Sequence, residues 1–343
     1  MRSVDNRGKL TSRNAGIDAV RVLGIVAVVV GHVSNNTVIR DGIYTWHVPL
    51  FFVLAGYFWT TDRPLRVEAA KRTRTLLLPY AVWLAIISVV FLPWQAYRGE
   101  LTPFDAIRPL LGGSYIGMPF SAFWFLSALF IAVLLFRSMQ RWPLGVTLVV
   151  IVASLGVAYA FPAQVSAIPL GAGVALPSLA FVAAGALIRR VQASIVRPVL
   201  VAISLLVGSV AAIASGVSAP LDLKKADFGT PVTSVLVAIA ISWALILLGQ
   251  WLLPRLGSVA NETATVLASC GTMVILSHSA VLWMIQLVTD SARLELAVAL
   301  VVPFAAAMLL RRTRLAPFLL GTRSAAMRPP LPALADQPAA RRA

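Results

Sequence analysis

Acidic residues are scarce in this chain: 13 Asp and Glu stand against 29 Lys and Arg over 343 residues, and charged residues of both signs make up only 12%. With 59% hydrophobic residues and a mean hydropathy of +0.85, so little charge excludes an ordinary soluble domain and implies a polytopic helical membrane protein. Carboxylates are few inside the apolar runs, with Asp18 in the first of them. That shortage argues against a cation-coupled pump, which relies on a relay of buried acids. The single cysteine, Cys270, excludes an internal disulfide and leaves the redox compartment unreadable, and nothing in its apolar stretch favours a nucleophilic thiolate. Only three histidines occur, His32, His47 and His278, and no ligand spacing among them supports a metal site.

What is present is a series of apolar runs about 20 residues long, the length that crosses ~30 Å of hydrocarbon. They fall near 15–34, 43–60, 73–93, 119–137, 143–161, 165–188, 198–216, 231–252, 263–289 and 294–310. The expectation is an all-α transmembrane bundle of about ten spanning helices. Residues 14–312 form the membrane domain, between a polar segment at 1–13 and a tail at 313–343 whose Pro, Ala and Arg content reads as disordered. Pro162, Pro169, Gly171, Gly173 and Pro177 mark the fifth and sixth runs as broken or tilted helices. With the N-terminus in the cytoplasm, 22 Lys and Arg lie in inner segments, six in outer loops, and Arg21 within its helix. That asymmetry predicts cytoplasmic N- and C-termini. The same rule, with anionic membrane lipid at the inner surface, accounts for the formal charge of +16 without a nucleic-acid partner. The first apolar run carries Arg21 and follows about fourteen polar residues, so a cleavable signal peptide is not expected.

An arginine and a histidine share that first run. A cation in a membrane-spanning helix costs at least ~2.5 kcal/mol and is a functional-site hypothesis by default. At ~100° per residue, the eleven steps from Arg21 to His32 come within about 20° of three full turns, which puts both side chains on one face, about 16 Å apart along the axis. Asp18, three residues before Arg21, can pair with it and make its burial cheaper. A structural ion pair with an interfacial histidine is the plainer alternative. In the predicted topology His32, His47 and His278 all fall in the outer half of the membrane, and imidazole is the side chain suited to proton transfer near neutrality. On the inner side, Lys71, Arg72 and Arg74 enter the third run. Cations are unfavourable at a helix N-terminus, so they serve either as membrane anchors or as an anion site.

In order along the chain, Ile17-Asp-Ala-Val-Arg21 with His32, Trp46-His47-Val-Pro-Leu-Phe51-Phe52 through Phe58, Lys71-Arg72-Thr-Arg74 through Pro79-Tyr80, Trp124-Phe125-Leu126, and His278 resemble the acyltransferase-3 family of integral membrane acyltransferases. The family's mark is an Arg or Lys and a His separated by ten residues in the first helix, and the second segment is similar to its sugar O-acetylase branch. Two departures stand out: Ala55 where the family usually has Ser, and Ser279 where a Pro usually follows the late histidine. An appended soluble domain, present in many relatives, is not expected after this tail.

The resemblance implies an O-acyltransferase of a bacterial inner or plasma membrane. It would move an acyl group, acetyl above all, from acyl-CoA to a hydroxyl of a glycan, lipid-linked sugar or glycosylated small molecule. His32 is then the base or acyl carrier, and Arg21 binds the donor or stabilises charge on the thioester oxygen. Lys71, Arg72 and Arg74 hold the donor's phosphates, and His47, Trp124 and His278 face the acceptor. The competing readings are a membrane carrier or flippase without chemistry, which would show paired broken helices in inverted repeats, and a silent scaffold, which would not need both Arg21 and His32.

Overall fold

The computed structural model describes residues 14–322 except Asn35, together with the backbone of two short strands, β1 (Arg2–Val4) and β2 (Leu10–Ser12), which pair antiparallel. The segment predicted at 1–13 otherwise lies outside the described residues, as does 323–343 of the tail. The remainder is helical: α1 (Ala15–Val33), α2 (Thr37–Tyr44), α3 (His47–Tyr57), α4 (Leu65–Arg72), a π turn at Thr73–Leu77, α5 (Leu78–Tyr97), α6 (Pro103–Leu111), α7 (Phe123–Met139) and α8 (Leu144–Ala160). After these come α9 (Pro162–Ser166), α10 (Ala172–Ala175), α11 (Leu179–Val191), α12 (Pro198–Ala214), α13 (Thr233–Leu252), α14 (Gly257–Gln286), α15 (Ala292–Leu310) and α16 (Ala316–Leu319).

The start of α1 follows from local chemistry. Asn14 caps it, its side chain accepting the Ile17 amide, and Asp18 adds an acid to the first turn, where the helix dipole favours one. The helix then packs on α14, α13, α3 and α15, so the Arg21 to His32 face is enclosed by protein. Close helix approach is made by small residues, as expected where no hydrophobic force acts between helices in lipid. Gly56 of α3 and Gly185 of α11 are reciprocal: a Cβ on Gly56 would strike the Val182 carbonyl, and one on Gly185 the Val53 carbonyl.

Each expected apolar run is matched by helix, and the bundle is that of a multi-pass membrane protein. By length and composition, four helical runs suffice to cross a membrane: Ala15–Val33, Leu65–Tyr97, Thr233–Gln286 and Ala292–Leu310. The pair Pro169–Ala175 and Leu179–Ser194 makes a fifth if its 56° bend counts as one broken span, at the place where the prolines and glycines predicted interruption. Other runs are shorter than expected: α7, α8 and α12 have 17 residues each and α3 has 11. The tail needs a correction. Residues 313–322 are ordered, with α16 packed on α5, the Trp83 indole N–H donating to the Leu319 carbonyl at 3.0 Å, and Leu320 buried.

Candidate functional site

Two cavities follow one another along α1. The first, about 690 Å³, is basic. Arg21, Lys71 and Arg72 line it, with Thr75, Ser269 and Thr272 adding polar groups and Leu320 to Thr322 forming part of its wall. Arg21 donates to Asp18 at 3.1 Å, and its guanidinium sits 4.7 Å from the Phe58 ring centroid. Asp18 is only 2% exposed and also accepts from Thr265 Oγ1 at 3.3 Å. The predicted pair is therefore made, and it holds the arginine at the cavity edge.

Arg72 is held by a carboxylate that sequence reasoning passed over. Glu68, 1% exposed, accepts from Arg72 Nε at 2.7 Å and from Arg63 Nη1 at 2.6 Å, and Arg137 Nη2 approaches its Oε2 to 3.4 Å. Arg137 in turn lies 3.7 Å over the Trp59 ring. The Glu68 to Arg72 spacing of four residues is the readable part of this cluster; Arg137 comes from a distant helix. Arg74, the third cation of the expected set, is not brought together with the other two. It is exposed and does not line the cavity, because two residues beyond Arg72 on a helical path carries a side chain to the opposite face.

The second cavity, about 210 Å³, is lined by His32, Tyr44, His47, Trp124, Asp222 and Lys224, among others. His32 Nδ1 donates to the Val28 carbonyl at 2.8 Å and His47 Nδ1 to the Ile43 carbonyl at 2.8 Å. A carbonyl can only accept, so Nδ1 carries the proton in each neutral ring and Nε2 keeps its lone pair. His278 does not line the cavity. It is fully buried behind His32, with the two rings edge-on and their centroids 5.0 Å apart. Its Nδ1 donates to the Val274 carbonyl at 3.1 Å, which leaves Nε2 to accept from Ser279 Oγ at 3.2 Å. The serine that departs from the family pattern thus occupies the lone pair of His278.

Sequence reasoning missed Tyr44, Ser121, Asp222 and Lys224. The last two come from the loop between α12 and α13, where charged residues between apolar helices were the available signal. Lys224 donates to the Ile116 carbonyl, and burial pushes its ammonium below the ordinary lysine range, with Asp222 pulling the other way. Lys225 bonds Asp222 at 3.0 Å, which holds it above that range. Among the described residues no cluster of His, Cys, Asp or Glu could hold a metal ion.

A third cavity, about 780 Å³, is larger than either, yet it is walled mainly by apolar side chains of α7, α8 and α11 such as Phe136, Leu148, Ile151 and Leu187, with Arg190 at its edge. Size does not identify the site here; convergent polar groups do.

The helix walls of the two cavities agree in direction. Arg21 and Ile25 of α1 face the basic cavity, and Val28 and His32 the second. On α3 the order is reversed, His47 and Val48 facing the second cavity and Leu54 and Ala55, with Phe58 just past the helix end, the basic one. Thus α1 and α3 run antiparallel past a common axis, as alternate spans require.

No curated protein and no solved structure matches the chain. A family model does: the acyltransferase-3 model, described as an acyltransferase domain, matches residues 14–312, which include every residue of both cavities except those at 320–322. The protein is a multi-pass membrane protein belonging to the acyltransferase-3 family.

Proposed function

We propose that this membrane acyltransferase moves an acetyl group from acetyl-CoA, bound with its phosphates at Arg21, Lys71 and Arg72, to a hydroxyl of a glycan, lipid-linked sugar or glycosylated small molecule that enters the second cavity. The observation that carries the reading is the stacking of a basic cavity and an imidazole cavity along α1. His32 takes the hydroxyl proton on Nε2 as the oxygen attacks the thioester carbonyl. The C–S bond then breaks, and the proton passes from His32 to the thiolate, giving the ester and free CoA. The separation of Arg21 from His32, about 16 Å along the helix, favours phosphate binding over oxyanion stabilisation for the arginine. The His32 Nδ1–H bond to Val28 favours the base role, since it aims the lone pair of Nε2 away from the backbone. Trp124 and His47 offer the acceptor an aromatic face and a polar edge. His278 acts through His32 as a positioning residue. The basic cavity faces the cytoplasm of a bacterial plasma membrane, where CoA is available.

The test is CoA release by purified protein in nanodiscs supplied with acetyl-CoA and a panel of glycosides bearing primary and secondary hydroxyls. Glycoside-stimulated release that is lost in His32→Ala supports the reading. Its absence in the wild type, with acetyl-CoA bound but unreacted, overturns it in favour of a carrier.

A further inference from the structure

Two residues line both cavities: Phe125 of α7 and Ile275 of α14. Both are nearly enclosed, at 5% and 6% exposure. Phe125 is wedged among aromatic rings, with centroids 5.3 Å from Phe51, 5.9 Å from Phe52 and 6.3 Å from Trp124. On α7, Trp124 faces the imidazole cavity, and Leu126 and Leu129 the basic one. On α14, Ala268, Ser269, Gly271 and Thr272 face the basic cavity, while His278, beyond Ile275, contacts His32. The change from one cavity to the other therefore falls at the same level on both helices. On α1 it lies between Ile25 and Val28, about 4.5 Å of helix. Phe125 and Ile275 are the two side chains common to both linings.

Donor dimensions give this partition a role. A pantetheine arm has as many single bonds between phosphate oxygen and sulfur as four residues of extended backbone, roughly 14 Å. Phosphates held near Arg21 would thus carry the sulfur past the partition, to within a few ångströms of the His32 level. The arm must then thread past Phe125 and Ile275, and the acyl group beyond it must fit, with those two side chains, in a space of about 210 Å³ that the acceptor also needs. We propose that Phe125 and Ile275 form the partition between the donor and acceptor cavities and set the length of the acyl group transferred. The length-setting part rests on the acyl-CoA reading above; the partition itself does not.

Two measurements test it separately. The first compares kcat/KM for acetyl-, butanoyl- and hexanoyl-CoA in wild type, Phe125→Ala and Ile275→Ala. The expected result is a steep fall from acetyl to hexanoyl in wild type and a hexanoyl-to-acetyl ratio raised about tenfold in Phe125→Ala. An unchanged ratio in variants that still turn over acetyl-CoA overturns the length-setting role. The second needs no turnover. Ser121→Cys, in the imidazole cavity, is placed in a Cys270→Ser background in oriented proteoliposomes. A small membrane-impermeant methanethiosulfonate is then added from the basic-cavity side. Slow labelling, accelerated at least tenfold by Phe125→Ala, is expected. Labelling that is already fast with Phe125 intact overturns the partition, even if the protein proves not to use acyl-CoA.

Discussion

The basic cavity and the imidazole cavity share α1, α3, α7 and α14 as walls, yet they are built on opposite electrostatic plans. In the basic cavity charge is placed by other charge. Asp18 holds Arg21 and Glu68 holds Arg72, each carboxylate buried so that the guanidinium can be presented at the cavity edge. In the imidazole cavity two rings are fixed by backbone carbonyls one helical turn earlier, Val28 for His32 and Ile43 for His47, with Asp222 and Lys224 in the same lining. The first arrangement suits retention of a polyanion, since Arg and Lys keep their charge and match phosphate geometry. The second suits proton transfer, since a neutral ring with a defined tautomer can accept a proton. Fixed cations and imidazoles are thus divided between the ends of one helix face, about 16 Å apart, and the proposed function assigns binding to the one and chemistry to the other.

This division is sharpened or broken by four tests, one of them a pair of substitutions, taken in order of expected effect. His32→Ala should lower kcat by roughly 10²- to 10⁴-fold with acetyl-CoA affinity unchanged, measured by single turnover and by calorimetric titration; an equal loss of affinity would merge the two sites. Glu68→Gln should destabilise the fold by roughly 3 kcal/mol, because Arg137 is left buried without its carboxylate. Denaturation in mild detergent reads this, and a melting temperature equal to wild type would show the cluster to be ornamental. Arg72→Ala should raise KM for acetyl-CoA about tenfold with kcat near wild type, the worth of one charge-assisted hydrogen bond, whereas Arg74→Ala should change KM less than twofold. Equal effects of the two would put Arg74 back at the donor site. His278→Gln should reduce kcat severalfold and shift its pH profile through His32. A variant with the wild-type profile would leave His278 a packing residue.

Much of the architecture was legible because hydrophobicity and helical period are local. The apolar runs coincide with helices, and the one-face geometry of Arg21 and His32 needed only the rise and twist of an α-helix. The Asp18 to Arg21 pair was readable for the same reason, as was the break between α10 and α11 from its prolines and glycines. The separation of Arg74 from Lys71 and Arg72 was not legible, because cationic charge in a row says nothing about which face each residue takes. The π turn at Thr73–Leu77, whose i→i+5 pattern resets the register, leaves no signature in composition. Residues 313–322 read as tail from their composition, while in the structure Trp83 and Thr75 meet Leu319 and Gly321 and draw the segment against α5.

By itself the sequence determined a membrane-embedded helical chain, the spacing of a cation and an imidazole on its first helix, and the family to which these belong. These are properties of residues within a few turns of one another, where geometry is nearly invariant. Only the tertiary structure decided that Arg137 of α7 joins Glu68, that His278 stands behind His32, and that Phe125 and Ile275 line both cavities. Those pairs are 69 residues apart for Glu68 and Arg137 and 246 apart for His32 and His278. Their pairing depends on how close-packed helices settle against one another, and no pattern along a single helix encodes that.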